Sequence, residues 1–431
     1  MSEEEARGGS PRRVRVLLAL VFAGESIFLL PFVLARVFRP TLLDVFGITN
    51  LQLGIAFSIY GLVAMFAYFG GGPLADRFRP RLLLAAALLL TAAGGWVFST
   101  GPSIGMLNLV YGYWGLTTIA LFWAALIRAT REWGEEEFQG AAFGLLDGGR
   151  GLVAAGIGTA MVALYAMLLP EDPVMATAEQ RSEAFAHVIG WSIGAVCLAA
   201  GLILLVLPER QGGVGSRVSG LPWRQLGTIL RMPSVWLQAI IILCAYAGFK
   251  AADVFSLYAN EVLALDEVDA ARTATVSLWV RPFAAVGAGY LADRRGAARM
   301  TGLAFGLLLA GSAVLASGQL RPGMLGVFLL TIISTSMAIF ALRGIYFALM
   351  QEGGVPLAYT GSAVGFVSFI GFTPDVFMGP LMGWLLDGSP GTVGHQHVFI
   401  VVMVFSIAGL MATLAFSRHA SRAPGKPSPS S

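Results

Sequence analysis

Nine ionisable side chains fall inside long apolar runs, and they are the residues of this sequence best placed to do chemistry: Glu25, Arg36, Asp147, Arg150, Lys250, Asp253, Arg281, Arg343 and Asp375. A charge held in an apolar medium costs several kcal/mol, so each must face a partner, a cavity or a ligand. Asp147 and Arg150 stand three apart, as do Lys250 and Asp253, so each pair can neutralise itself on one helical turn. Arg281, followed by Pro282, has no acid within a turn, so its partner must come from another helix or from a ligand. Its planar fork suits a phosphate or a carboxylate. Glu25 has no basic neighbour one turn away, and Asp375 follows Gly371-Phe372-Thr373-Pro374, where a helix break would free carbonyls to line a cavity. These two acids are the candidates for carrying a coupling proton. Arg343, near the end of its run, is expected to snorkel toward headgroups.

The elements that must position these residues are membrane helices. The chain is 56% hydrophobic and only 12% charged, with apolar runs from end to end, against a charged share of about a quarter in soluble domains. A membrane helix needs about 20 mostly apolar residues. By that rule the first half holds runs at 14–38, 51–72, 81–100, 105–127, 138–168 and 184–207, and the second at 234–259, 272–292, 299–318, 324–349, 359–386 and 395–416. The expected fold is all-α, with twelve transmembrane helices in two pseudo-symmetric six-helix bundles. The expected organisation is an N-terminal segment 1–13, a bundle 14–207, a linker 208–232, a bundle 233–417 and a disordered tail 418–431.

Basic residues orient the bundle, because Lys and Arg in short loops stay on the cytoplasmic side. Arg12, Arg13, Arg77, Arg79, Arg128, Arg210, Arg224, Arg294, Arg299 and Arg418 share one side, whereas the other side holds only Arg39, Arg181, Arg272 and Arg321. Both termini are therefore expected in the cytoplasm. The two cysteines, Cys197 and Cys244, lie inside apolar runs, giving neither a disulfide framework nor a metal-ligand pattern. No nucleophile arrangement or nucleotide-binding loop stands out, so neither an enzyme nor a cofactor is expected, and a net charge of +3 does not point to nucleic acid.

The halves echo one another. Gly72-Pro73-Leu74-Ala75-Asp76-Arg77 returns as Gly289-Tyr290-Leu291-Ala292-Asp293-Arg294, 217 positions on, each closing an apolar run and opening an arginine-bearing turn. Ala35-Arg36-Val37-Phe38 faces Ala252-Asp253-Val254-Phe255 at the same offset, and Phe138–Gly144 echoes Tyr359–Gly365. Such periodicity marks a duplication. Gly140, Gly144, Gly148, Gly149 and Gly151 on the fifth run, with Gly361, Gly365 and Gly371 on the eleventh, allow close helix contacts. Tyr111, Tyr113, Trp114 and Trp123 on the fourth are expected to pack rather than bind.

Over nearly its whole length the chain resembles the major facilitator superfamily, and the G-x-L-A-D-R phrase is similar to that superfamily's loop signature between helices two and three. The resemblance implies that Asp76, Arg77 and Arg81, with Asp293 and Arg294 in the second copy, latch the cytoplasmic side and release it on opening. Leu34-Ala35-Arg36 with Phe38, Leu53-Gly54 and Ser58 resembles the organophosphate:phosphate antiporter branch, the sugar-phosphate permeases. That implies an anion-binding task for Arg36. Gly248 falls at the register of that branch's second arginine, with Lys250 two residues on.

The expected function is a secondary active transporter of a small anionic organic solute, sugar-phosphate-like or a carboxylate or sulfonate, with alternating access across the cytoplasmic membrane. Arg36, Lys250 and Arg281 would hold the anion, with Asp147, Arg150 and Asp253 setting their orientation. A monomer is expected, with the solute and a proton or counter-anion as its partners. The alternatives are a proton-coupled exporter of neutral or cationic compounds and a non-transporting assembly factor of the same fold.

Overall fold

The computed structural model describes residues 11–134, 139–208, 229–355 and 360–422. Most of the expected linker with Trp223, the ends of the expected terminal segments, and much of the Phe138–Gly144 and Tyr359–Gly365 echo lie outside the described residues or side chains, as does the side chain of Asp76.

Among the described residues twelve helical spans follow one another. They are α1 (Pro11–Ser26, resumed as Leu29–Val37), α2 (Asn50–Arg77), α3 (Pro80–Ser99), α4 (Ile104–Gly115, continued to Gly134), α5 (Gln139–Leu168) and α6 (Ala178–Val206). The second six are α7 (Pro233–Lys250, continued to Glu261), α8 (Glu267–Arg295), α9 (Ala297–Ala316), α10 (Leu325–Ile345), α11 (Thr360–Gly371, resumed as Pro374–Gly388) and α12 (Thr392–Arg422). Ten are long and apolar enough to cross a membrane, eleven once bent α1 is joined. The remaining helix, α8, is 29 residues long, but Arg281 and the charges at both its ends lower its apolarity. At about 1.5 Å per residue it still exceeds the roughly 30 Å of a hydrocarbon core.

Local chemistry sets several boundaries. Thr49 and Gln52 form a capping box at the start of α2, and Thr177 with Gln180 does the same for α6. Gly47, at φ 59°, closes a short helix, Arg39–Phe46, so Arg39 is a buried helical residue, not the loop residue expected. Arg418 to Arg422, expected in the tail, extend α12. Both repeated phrases lie within the closing turns of α2 and α8, with Pro73 inside the helix, so the turn begins later than expected.

Among the described residues four helices lose regular winding, α4 as a π stretch at Leu116–Trp123 and three others where the charges sit. In α1 a π turn at Leu29–Val33 follows the break, α7 tightens to 3₁₀ winding at Ala251–Val254, and α11 breaks at residues 372–373 ahead of Pro374. Irregular backbone at this depth is tolerated where protein or a water-filled cavity surrounds it.

Two apolar cores result. One is built from α1 to α6 and takes in Val268, Ala271, Ala274 and Leu278 of α8, and the other is built from α7 to α12. The lobes meet along α2 against α11 and α5 against α8. A Cβ on Gly61 would come within 2.8 Å of the Asp375 backbone, and one on Gly379 within 2.8 Å of the Gly54 carbonyl. Gly383 abuts Asn50 and Leu51 as tightly. Further along the same helices, Gly70, Gly72, Gly287 and Gly289 have open space on their Cβ side. The interface is thus shut at the end where α2 begins and parted at the end carrying the two phrases.

Candidate functional site

Along this interface the nine charges sort into two clusters and one single residue. In the first, Arg36 of α1 meets Asp253 of α7, with Nε at 2.7 Å and Nη2 at 2.6 Å from Oδ1. These positions answer each other in the internal repeat, so the pair lies on the pseudo-symmetric relation between the lobes. The Ser256 hydroxyl donates to the Arg36 carbonyl at 2.9 Å and ties the two helices again. Lys250 reaches Asp253 Oδ2 at 3.4 Å, as its spacing predicts, but also Asp375 Oδ1 at 3.1 Å. Its ammonium lies 5.3 Å and 5.4 Å from the ring centres of Phe32 and Phe57 on the other lobe. The Tyr246 hydroxyl donates to Asp375 at 2.9 Å.

The second cluster is built around Glu25. Arg281 Nη1 of α8 lies 3.2 Å and 3.3 Å from its carboxylate oxygens, and Arg150 Nε of α5 lies 3.3 Å away. Asp147 completes it, 3.4 Å from Arg281 and 3.7 Å from Arg150. Arg150 also donates to the Gly24 carbonyl at 3.0 Å and lies over Phe28 and Trp123. The glycines fit closely here, since a Cβ on Gly24 would meet Arg150 Cδ at 3.1 Å and one on Gly151 would meet Arg281 Cγ at 3.3 Å. Glu25 is 5% exposed at its side chain while Asp147 is 56% exposed, so the cluster faces the parted end. Glu25, without a basic neighbour one turn away in sequence, is met by two guanidiniums from helices distant in sequence. Asp375 likewise meets an ammonium and a phenol.

Arg343, expected to snorkel outward, instead turns inward. Its guanidinium carbon lies 3.9 Å from the ring centre of Phe249 and 5.7 Å from that of Tyr246. Arg36 also reaches Phe249, at 4.8 Å. On α4, Tyr111 and Trp114 are wholly buried and pack edge-on, as expected of packing residues, and Trp123 lies beneath Arg150.

At the shut end stands a latch that the spacing did not suggest. Asp387, in the last turn of α11, accepts the amide hydrogens of Asn50 at 3.0 Å and Leu51 at 2.7 Å, the N-terminus of α2 on the other lobe. A carboxylate there meets both free N–H groups and the positive end of the helix dipole. Beside it, Glu267 of α8 accepts from Thr41 at 3.1 Å, Tyr165 at 2.7 Å and Arg181 at 3.3 Å, all on the first lobe, and Arg181 also meets Asp44 at 3.3 Å. The capping box at Thr49 was the one sequence signal pointing to that helix start. At the parted end Arg77, Asp293 and Arg294 are exposed, Arg294 lying 4.2 Å from the Tyr290 ring, while Arg81 sits half-buried in the first turn of α3 and Arg128 donates to the Ala75 carbonyl.

Replacing Asp387 by asparagine keeps the shape and removes the charge. A carboxylate at a helix N-terminus contributes up to about 2 kcal/mol, and 1.4 kcal/mol is tenfold in an equilibrium. Asp387→Asn is therefore expected to shift the balance about tenfold toward the form open at that end. The readout is maleimide labelling of a cysteine placed at the buried Leu53, in a chain lacking Cys197 and Cys244; an unchanged rate would discard the latch.

The described geometry has relatives. The family model of the Major Facilitator Superfamily matches residues 16–374. The inner membrane proteins YihN and YqcE of Escherichia coli (strain K12) are 22% and 21% identical over 94% and 91% of this chain, and over 95% and 92% of their own lengths. A bacterial homologue of the human lysosomal transporter Spinster, inward-facing and unoccupied, superposes with a TM-score of 0.75 at 13% identity, covering 97% of this chain and 100% of that one. The nucleoside transporter NupG gives 0.68 at 14%, covering 95% and 99%. With the family model spanning most of the sequence and the fold shared with solved transporters, the chain belongs to the Major Facilitator Superfamily of transporters.

Proposed function

We propose that this chain moves a small anionic organic solute across the cytoplasmic membrane by alternating access, with both termini in the cytoplasm. One observation carries the reading. The membrane-depth charges pair from lobe to lobe, Arg36 with Asp253 and Arg281 with Glu25 and Asp147, and bases outnumber acids by five to four. Pairs that cross a moving interface can be broken and remade as the lobes rock, and a surplus of positive charge calls for a guest of opposite sign. The orientation rests on the basic residues gathered at the parted end, which makes this the form open to the cytoplasm. The inner-membrane naming of the two Escherichia coli relatives supports the location.

On this reading Lys250, Arg36, Arg150 and Arg281 organise the site electrostatically, with Glu25, Asp147, Asp253 and Asp375 as their counter-charges. The phrase residues Asp76, Arg77, Arg81, Asp293 and Arg294 act as the gate of the cytoplasmic end. The test is a thermal-shift screen on purified protein, with sugar phosphates, sulfonates and carboxylates set against lipophilic cations, followed by counterflow in liposomes. Stabilisation and flux with anions are expected. Flux of lipophilic cations driven by a pH gradient would replace the reading by a proton-coupled exporter, and no flux across a broad library by an assembly factor.

A further inference from the structure

Four of the five membrane-depth bases are answered by the four membrane-depth acids: Arg36 and Lys250 by Asp253 and Asp375, and Arg150 and Arg281 by Glu25 and Asp147. Arg343 is left over. Among the described residues no carboxylate lies within ion-pair distance of it and no acceptor takes its N–H groups. It is not turned to lipid either. It sits in the last turn of α10, half-buried, with its guanidinium over Phe249 and Tyr246 of α7. Arg36 of the first lobe lies over the same Phe249 ring at 4.8 Å, so Arg343 stands where the two lobes meet.

A stacked ring offsets part of the cost of a desolvated guanidinium, on the order of 0.5 to 2 kcal/mol, but leaves five N–H donors in the plane of the fork unfilled. These donors are open to the parted interface, where water or an anionic solute fills them. The charge count limits that solute. With the other four membrane-depth bases matched by acids, one negative charge at Arg343 brings these nine groups to neutrality, whereas a phosphate monoester, carrying about −1.5 to −2 near neutral pH, overshoots it.

We propose, resting on the anion-carrier reading above, that Arg343 is the seat of the solute's charged group, that this group is a single-charge oxyanion such as a carboxylate or a sulfur oxyanion, and that the solute's body lies beside the half-buried Tyr246. The planar fork takes two oxygens of such a head side by side, and the Tyr246 ring gives the body an apolar surface to pack on. Arg36, which the first-helix resemblance would make the anion ligand, is occupied by Asp253 and serves as an interlobe tie.

The experiment uses the full chain in detergent and in liposomes, with two probe sets that each keep one body and vary the head: glucuronate, glucose 6-sulfate, glucose 6-phosphate and glucose, and benzoate, benzenesulfonate, phenyl phosphate and benzyl alcohol. Wild type is expected to bind the monoanions of at least one set about tenfold more tightly than the phosphate monoester, and the neutral compound not at all. Losing a bidentate charged contact costs about a hundredfold, so Arg343→Gln should lose monoanion binding by that factor, and Arg343→Lys, a point charge without the fork, should recover part of it. Melting of the unliganded variants separates loss of the seat from loss of the fold, and where Arg343→Gln does not fold, the ratio of Arg343→Lys to wild type across the heads is the measure. Equal monoanion affinity in wild type and a folded Arg343→Gln, or in wild type and Arg343→Lys, would overturn the seat while leaving the anion-carrier reading intact. Preference for the phosphate monoester would overturn the charge count alone, and binding of no anion in either set would overturn both.

Discussion

Arg281→Ala is expected to lower solute uptake at least a hundredfold, with membrane insertion unchanged as read by expression level and by the melting profile. The side chain bridges two carboxylates, Glu25 at 3.2 Å and Asp147 at 3.4 Å, from a helix of the opposite lobe. Without it Arg150 alone must answer both acids, and an acid left unmatched away from water costs about 3 to 5 kcal/mol. Insertion survives because α8 keeps its length and its packing through Val268, Ala271, Ala274 and Leu278, residues the substitution does not touch. The loss should fall on the transport step, since closing the parted end would bury that unmatched charge. Arg281→Lys separates charge from shape, because an ammonium is a point charge and cannot present a planar fork to two carboxylates at once. It is expected to keep no more than about a tenth of the flux. Transport at wild-type rates by Arg281→Ala in sealed vesicles would remove this residue from the machinery.

How much of this was legible before the fold was known depends on the kind of contact. The helices were, because apolar runs of about 20 residues leave little choice of structure in a bilayer. The break ahead of Pro374 was visible for a local reason, since proline has no amide hydrogen to donate. The self-neutralising spacing of Asp147 with Arg150, and of Lys250 with Asp253, was visible too, being a matter of one helical turn. What spacing could not show was which side chains from distant helices would share a site. Arg281 and Glu25 are 256 positions apart, and Glu25 looked isolated only because its neighbours are assembled by packing. Arg343 is the sharper case: position near a helix end favours snorkelling for any long basic side chain, and only the placement of Phe249 turns it inward. Asp387 was hidden for the opposite reason, as an unremarkable acid near a loop until α2 presents its N-terminal amides to it.

Reversing one partner of the Arg36–Asp253 pair is expected to be as damaging as losing Arg281, and reversing both should be less so. Asp253→Arg would set two guanidiniums at the contact now held at 2.6 Å and would remove a counter-charge from Lys250, so uptake should fall at least a hundredfold. Arg36→Asp would put two carboxylates there with the same result. The double reversal has a geometric reason to work: the residues occupy matching positions of the two repeats, 217 apart, on matching stretches of α1 and α7, so an exchanged pair meets across the same pseudo-symmetric relation. Recovery should nonetheless stop short of wild type, because Lys250, 3.4 Å from Asp253, would then face an arginine with only Asp375 to answer it. A gain of about tenfold over either single reversal is the expected figure, measured as uptake together with maleimide labelling of a cysteine at the buried Leu53, in a chain lacking Cys197 and Cys244, to report closure of the shut end. If the double reversal is no better than the singles in either readout, the pair is not what ties the lobes, and the duty passes to the latch of Asp387 on the start of α2.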